Sequence, residues 1–521
     1  MALSEVFSWR TNSDKLILSW SNLFYVIFAI CAVNSLRILY TILYNVYLHP
    51  LRRVPGPQLW IAFPILQHIS SLRGNREFKI REFHEKYGDI VRWAPDHVTF
   101  SNAQAWKDIY GHGHTEVPKY FPPGVRDGGT PNIVHSNAAD HFRFRRAMLP
   151  AFSNAALNQQ ETLIMVYVDL LKERLHEVAS SGQPTDIVEW YTFTTFDLIG
   201  DLAYGESFNG LRERKQNEWV GNIQKMMKLY PILVISSLSP LIMKLLLLAA
   251  GPQIKKSKAQ HEQMSKALAM KRIQNKDQEH RGDFMDLMMR SRGEKHGLTD
   301  LELASNSDTL IVAGSETTAT LLCGVTYYLL SNPESFATCR DEVRSAFSSA
   351  DEITFKTATA KLPYMMACLD EALRLFPPIP LTLSREIPAG QTAVIMGQVF
   401  PEKTQVGVHH LATYHSSRNF HLAKEFHPER WLPEAKSDPK SPFFNDNREA
   451  HKPFSFGPRD CIGRNLAYHE MRLILAHLLW TFDLTLCESA KDWAEEQNIF
   501  ALWEKPPLMV DIRARQAEGD T

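Results

Sequence analysis

Residues 454–463 read FSFGPRDCIG and set a single cysteine, Cys461, between Gly457 and Gly463, with Pro458 and Arg459 close by. A cysteine so placed has four uses: an inert core residue, half of a disulfide, a nucleophile or a metal ligand. The residues that follow narrow the choice. IGRNLAYHEMRLILAHLLW puts Ala467, Met471, Ile474, Leu475, Leu478 and Phe482 on one helical stripe, so Cys461 stands at the entrance to a buried helix. Unpaired amides and the helix dipole at that entrance favour a negative thiolate. Gly457 and Gly463 permit turn geometry and the close approach of a flat partner, and Pro458 stiffens the loop. A sulfur on such a loop suits a metal; on these residues alone, a small buried hydrophobe stays open as the alternative.

The rest of the composition removes other uses. The chain has 521 residues, is 44% hydrophobic and carries a formal net charge of −1, enough to bury a large core and with nothing that points to nucleic acid. Its six cysteines, Cys31, Cys323, Cys339, Cys368, Cys461 and Cys487, contain no CxxC pair, which supports neither a disulfide framework nor a cysteine zinc site. Neither GxGxxG nor GxxxxGK[ST] occurs, so there is no nucleotide-binding fingerprint.

At the N-terminus, Leu23 to Val33 is an unbroken apolar run inside a longer apolar stretch from Leu16 to Leu48. With ~20 residues needed to cross a bilayer core, a window between Leu16 and Leu43 spans. The run continues past any plausible cleavage site and reads as a retained anchor rather than a signal peptide. Arg52 and Arg53 follow it, which favours a cytosolic body. The prolines of VPGP, Val54 to Pro57, then form a stiff connection. The division expected is residues 1–51 as anchor and flank, 52–58 as a Pro-rich hinge and 59–521 as one large domain. That domain reads as mainly α with minor β: helical periodicity runs through Gln159 to Ser180, Lys255 to Lys276, Thr299 to Leu330 and Asn465 to Phe482. Short β-like runs occur at Ile90 to Trp93, Val98 to Phe100, Ala393 to Met396 and Gln405 to Val408.

FSFGPRDCIG fits F-x-x-G-x-R-x-C-x-G at Phe454, Gly457, Arg459, Cys461 and Gly463, and so resembles the haem-binding signature of the cytochrome P-450 superfamily. EALR, with Glu371 and Arg374, resembles the family's E-x-x-R pair, and Arg430 in FHPERW resembles the arginine that completes its Glu-Arg-Arg cluster. By that resemblance the trio is structural support for the cysteine loop. WKDIYG, FTTFDLIGDLAYGESF and LWEKPPL are similar to filamentous-fungal members of the isotrichodermin 15-hydroxylase type.

The long helix opened by the capping box TDLE, from Thr299, carries AGSETT (Ala313 to Thr318), a polar patch in an apolar run. The Thr317 hydroxyl can bond the carbonyl of Ala313 and loosen the helix. The resemblance makes Thr317 and Glu316 catalytic, the first as hydrogen-bond donor to bound oxygen and the second in proton supply; a mere helix kink is the bland alternative. It further implies haem b with Cys461 as axial iron ligand. Arg145, Arg385 and Arg459 would hold the propionates, and position 141 of the W-x-x-x-R helix has His141 in place of tryptophan. Arg143 and Arg146 read as solvated or partner-facing. Substrate contacts are expected at Tyr120 to His135, Leu229 to Ala250, Ala313, Pro380 to Leu383 and Phe500 to Leu502; Pro231 to Gly251 reads as a membrane-facing lid, with a buried core helix as the alternative.

The resemblance therefore implies a single cytochrome P-450-like haem domain behind a membrane anchor in the endoplasmic reticulum, with its catalytic body in the cytosol. It would insert one oxygen atom from O2 into an apolar small molecule in fungal secondary-metabolite biosynthesis. Electrons would come from NADPH through a separate NADPH-cytochrome reductase, with cytochrome b5 as a second donor. Desaturation, epoxidation or oxidative coupling by the same haem chemistry, and a non-catalytic haem protein, are the alternatives.

Overall fold

The computed structural model describes residues 20–122, 129–237, 244, 251–275, 281–290, 292–294 and 297–516. The first residues of the expected anchor, part of the Tyr120 to His135 loop and most of the expected lid beyond residue 237 lie outside them.

Helix Trp20–Leu43 passes into a π-helical turn, Tyr44–Leu48. Residues Phe24–Leu48 are long and apolar enough to cross a membrane, with a mean hydropathy of 2.0, and their apolar side chains stand exposed. Asp300–Ser331 passes the same test of length and composition, but 72% of its apolar window is buried, which makes it a core helix. The chain docks onto the body soon after the exposed helix. Asn45 donates to the carbonyl of Ile61 at 3.3 Å, Leu51 is buried, and the Arg92 N–H donates to the Pro55 carbonyl at 2.8 Å.

The long helix, Asp300–Ser331, organises the core. Thr299 caps it as expected: its Oγ1 accepts from the Glu302 N–H, and the Glu302 carboxylate accepts from the Thr299 N–H. Its 32 residues extend ~48 Å, and it ends at Asn332, before Pro333 opens the next helix. It packs along helix Ile187–Tyr204 so closely that a Cβ at Gly314 would lie 2.8 Å from Ile199 Cδ1. Helices Pro363–Leu375 and Arg464–Thr481 pack against it as well, bringing the Glu371 and Cys461 regions to one core.

The β structure is minor, and the four runs read from the sequence each fall on a strand, while strands such as Arg385–Glu386 and Met509–Ala514 carry no such signal. Strands Ile90–Ala94, His97–Phe100, Gln405–Val408 and Arg385–Glu386 form a four-stranded sheet in that order, with His97–Phe100 parallel to Gln405–Val408. Phe482 does not end the cysteine helix but begins strand Phe482–Leu486. The edge strand Arg385–Glu386 matters for the site. The Tyr120 N–H donates to Ser384 O and the Glu386 N–H to Pro118 O, so the segment from Glu116 to Tyr120 lies along Arg385.

Candidate active site

The cysteine loop is held from both ends. Gly457 has φ +80°, and a Cβ there would fall 1.7 Å from the Tyr110 carbonyl oxygen, so only glycine fits. Gly463 lies outside the left-handed region. Its φ is −85°, and an added Cβ would meet Phe152 no closer than 3.8 Å, so no protein neighbour requires a glycine there. The Cys461 N–H donates to Phe454 O at 2.9 Å, and the Phe454 ring packs on Tyr468. Cys461 presents accessible surface, yet burial pushes its thiol above the ordinary value. Both hold if the sulfur faces an internal space. The Gly463 N–H pulls the other way without prevailing, so the helix entrance alone does not produce a thiolate. A metal would supply the missing compensation. Among the described residues no three His, Cys, Asp or Glu side chains gather as metal ligands, so a metal at Cys461 would draw its other ligands from a bound group.

Beside the loop lies a concentration of positive charge. Arg385 Nη1 donates to Glu116 Oε1 and to Val117 O, each at 2.9 Å. Arg459 Nε lies 2.5 Å from the same Glu116 oxygen without a well-aligned hydrogen bond, while its Nη1 donates to Ser136 O at 3.0 Å. Lys119 Nζ donates to Val134 O at 3.0 Å; burial, with Arg459 and Arg385 adding to it, pushes its pKa down to about 7. His141 is buried at the same place and is pushed down to about 4 by burial, then by Arg459, Lys119 and Arg145. Arg145 is engaged by Asp460, through the carbonyl at 2.8 Å and the carboxylate at 2.5 Å. Burial works against the Glu116 carboxylate, yet Arg459 and Arg385 hold it below its ordinary range. Arg385, Arg459 and Lys119 thus surround one carboxylate, and the surplus charge fits a bound anionic group.

Glu371, Arg374 and Arg430 meet elsewhere in the core with no exposed side-chain surface. Arg374 forks onto both Glu371 oxygens at 2.7 and 2.9 Å, and Arg430 Nε donates to Oε1 at 3.0 Å. The Trp431 indole and the His427 N–H complete the carboxylate's partners, while Arg430 also pairs with Asp446. Burial pushes Glu371 up, but Arg374 and Arg430 outweigh it and leave the carboxyl below its ordinary value.

On the long helix, Ala313 is exposed and Thr317 half-buried within an otherwise buried stretch. Thr317 Oγ1 donates to the Ala313 carbonyl at 2.6 Å, as expected, but the helix runs on without interruption. Glu316 pairs with Lys505, a partner the sequence did not suggest, and its Oε2 is buried without a hydrogen-bond partner. Glu316 and Val312 line a cavity of about 270 Å3 together with Phe193, Met227, Phe500 and Leu502, which joins the expected contacts at Phe500 and Leu502 to the long helix. Arg143 is not solvated; it binds Glu302 at 2.5 and 3.0 Å and Asp140 at 3.1 Å.

Glu116, Lys119 and Lys505 are the residues that sequence reasoning passed over. Each is a lone charge in a loop, brought to the site by strand pairing at Arg385 or by the hairpin Asn498–Glu504. No sequence spacing marks them.

Comparison with known proteins gives the family. The family model described as Cytochrome P450 matches residues 54–511. The cytochrome P450 monooxygenase dtxS2 of Metarhizium robertsii is 50% identical over 506 residues, 97% of either chain. The trichothecene C-4 hydroxylase of Trichoderma arundinaceum is 46% identical over 476 residues, 91% of this chain and 95% of that protein. The averantin hydroxylase of Dothistroma septosporum is 40% identical over 490 residues, 92% and 89% of the two chains.

Proposed function

This chain belongs to the cytochrome P450 family, and from that premise we propose how its residues serve a haem-dependent monooxygenase. The cofactor is haem b, with Cys461 as its one protein ligand to iron. Arg385, Arg459 and Arg145 receive the propionates, with His141 alongside, and Lys119 joins them as a residue visible only in three dimensions. Phe454, Gly457 and Gly463 shape the loop, and Gly463 keeps its outer side free for the macrocycle. The observation that carries this reading is the surplus of cations around Glu116 beside the accessible Cys461.

When bound, haem supplies the activation of dioxygen and the transfer of one oxygen atom. The protein's part is orientation and proton control. Thr317 holds a hydroxyl proton on the accessible face of the long helix, and Glu316 stands one residue away on the cavity wall, with one carboxylate oxygen buried and without a hydrogen-bond partner. The Glu371, Arg374 and Arg430 network holds the segment leading to the cysteine loop and takes no part in chemistry.

Residues 1–51 anchor the enzyme in the endoplasmic reticulum membrane, 52–58 link the anchor to the body, and 59–521 form the haem domain. NADPH-cytochrome reductase supplies electrons, with cytochrome b5 as second donor. The substrate is an apolar small molecule of fungal secondary metabolism, as the hydroxylase names among the relatives suggest.

The experiment is Thr317→Val, which keeps the shape and removes the hydroxyl. A positioned proton donor contributes ~10²–10⁴-fold. Product formed per NADPH consumed should fall steeply while peroxide rises, in reconstituted enzyme with normal haem content. Coupling equal to the wild type would return Thr317 to a structural role.

A further inference from the structure

Lys505 lies beyond every motif that marks the haem site, on the chain leaving the hairpin Asn498–Ile499 to Trp503–Glu504. Its side chain is 4% exposed and reaches the carboxylate of Glu316, itself 10% exposed. Two of its contacts fall on one face of the long helix: the ion pair with Glu316 Oε1, and a hydrogen bond to Thr320 Oγ1 at 2.9 Å. The spacing of four residues between Glu316 and Thr320 puts both under the same ammonium group.

The hairpin that delivers Lys505 is rigidly seated. Trp503 is buried, stacks on Phe376 with ring centroids 4.2 Å apart, and donates its indole N–H to Pro377 O at 2.7 Å. Glu504, the preceding residue, pairs with Lys228 on helix Glu218–Ser237. Among the described residues, the other ionisable groups facing this space are Asp186 and Glu189 on the cavity wall and the buried Cys323 thiol on the long helix. Asp186 is occupied by the N–H groups of Val188 and Leu508, and Lys228 by Glu504. Lys505 is therefore the cation aimed at Glu316.

We propose that Lys505 is a positioning residue that keeps Glu316 a carboxylate, with Oε1 fixed on the ammonium group and Oε2 left without a partner of its own. This rests on the reading of Glu316 as the group that handles protons. A buried carboxylate that loses its cation takes up a proton instead, because desolvation penalises only the charged form. Lys505 thus decides whether residue 316 can accept a proton from the solvent side or is already loaded with one. The hairpin supplies this control from a part of the chain remote in sequence.

The test uses the full-length, haem-loaded protein and difference infrared spectroscopy of the protonated carboxyl stretch. At pH 7, Lys505→Met should show such a band, and the double variant Lys505→Met/Glu316→Gln should lack it. Lys505→Arg, which keeps the charge, should match the wild type. The pH dependence of product formed per NADPH should move upward in Lys505→Met, where a close opposite charge is removed, and stay in place in Lys505→Arg. If Lys505→Met fails to load haem, Lys505→Gln, which can still bond Thr320, is read in the same way. Absence of a Glu316-dependent band in the neutral variants overturns the positioning role and leaves the Thr317 test standing. A Glu316-dependent band with an unmoved pH profile overturns the proton-handling reading of Glu316 and the proposal with it.

Discussion

Two clusters of arginine and glutamate lie in this protein, and they are built on opposite terms. Around Glu371 every charge is answered: two arginines and an indole converge on one carboxylate, Asp446 takes the second arginine, and backbone carbonyls absorb the remaining guanidinium N–H groups. Around Glu116 the account does not balance, since Arg385, Arg459 and Lys119 face a single carboxylate and Lys119 is driven toward its neutral form. A network that satisfies itself has no need of a ligand. One that leaves cations over has been shaped for an anion that is not part of the chain.

The difference can be broken first at its strongest point. Removing one partner from a buried, fully bonded ion pair destabilises by about 3–5 kcal/mol. Arg374→Ala should therefore cost that much in chemical denaturation and abolish recovery of folded protein at moderate temperature. A variant of near wild-type stability would show that the network is ornamental.

The pH dependence of stability sharpens the contrast. Glu371 is held below its ordinary value, so it contributes stability that is present above the unfolded value and lost as the pH falls through the folded one. Glu470, on the cysteine helix, has the opposite character: burial raises it from 4.5 to about 8, with a hydrogen bond from Thr318 opposing. Its contribution is fully present below 4.5 and lost as the pH rises through about 8. Within that window the loss is about 1.4 kcal/mol per pH unit. Glu470→Gln should flatten the decline in Tm between pH 5 and pH 8; an unchanged slope would mean that Glu470 is ionised in the folded protein.

At the unbalanced cluster the effect should fall on binding rather than folding. Arg385→Ala or Lys119→Met removes a charge-assisted contact worth about 1.5–3 kcal/mol, a loss of roughly tenfold to a hundredfold in haem affinity. Haem transfer to an excess acceptor protein measures this directly. The chain should remain folded, with far-ultraviolet circular dichroism like the wild type. Collapse of the fold on a scale matching Arg374→Ala would erase the distinction between the clusters.

The two clusters also differ in how far the sequence reveals them. Glu371 and Arg374 sit three apart on one helix, and Arg430 lies in a recognisable FHPERW, so local spacing suffices. The capping box at Thr299, the Thr317 bond to Ala313 and the four strands at Ile90–Ala94, His97–Phe100, Ala393–Ile395 and Gln405–Val408 were legible for the same reason: each depends on near neighbours. Glu116, Lys119 and Lys505 reach their places through pairings across hundreds of residues, and a lone charge in a loop has no period to betray it. The surroundings of Cys461 divide in the same way. The helix entrance is local and visible, whereas the burial that outweighs it comes from the whole fold.

On the proposed reading, Cys461 meets haem iron beside a set of cations that hold the propionates. The reduced carbon-monoxide difference spectrum of purified Cys461→Ala tests it most directly. The account predicts a folded protein that has lost the thiolate-type band of the wild type. The same band, undiminished in a folded and haem-loaded Cys461→Ala protein, would contradict it.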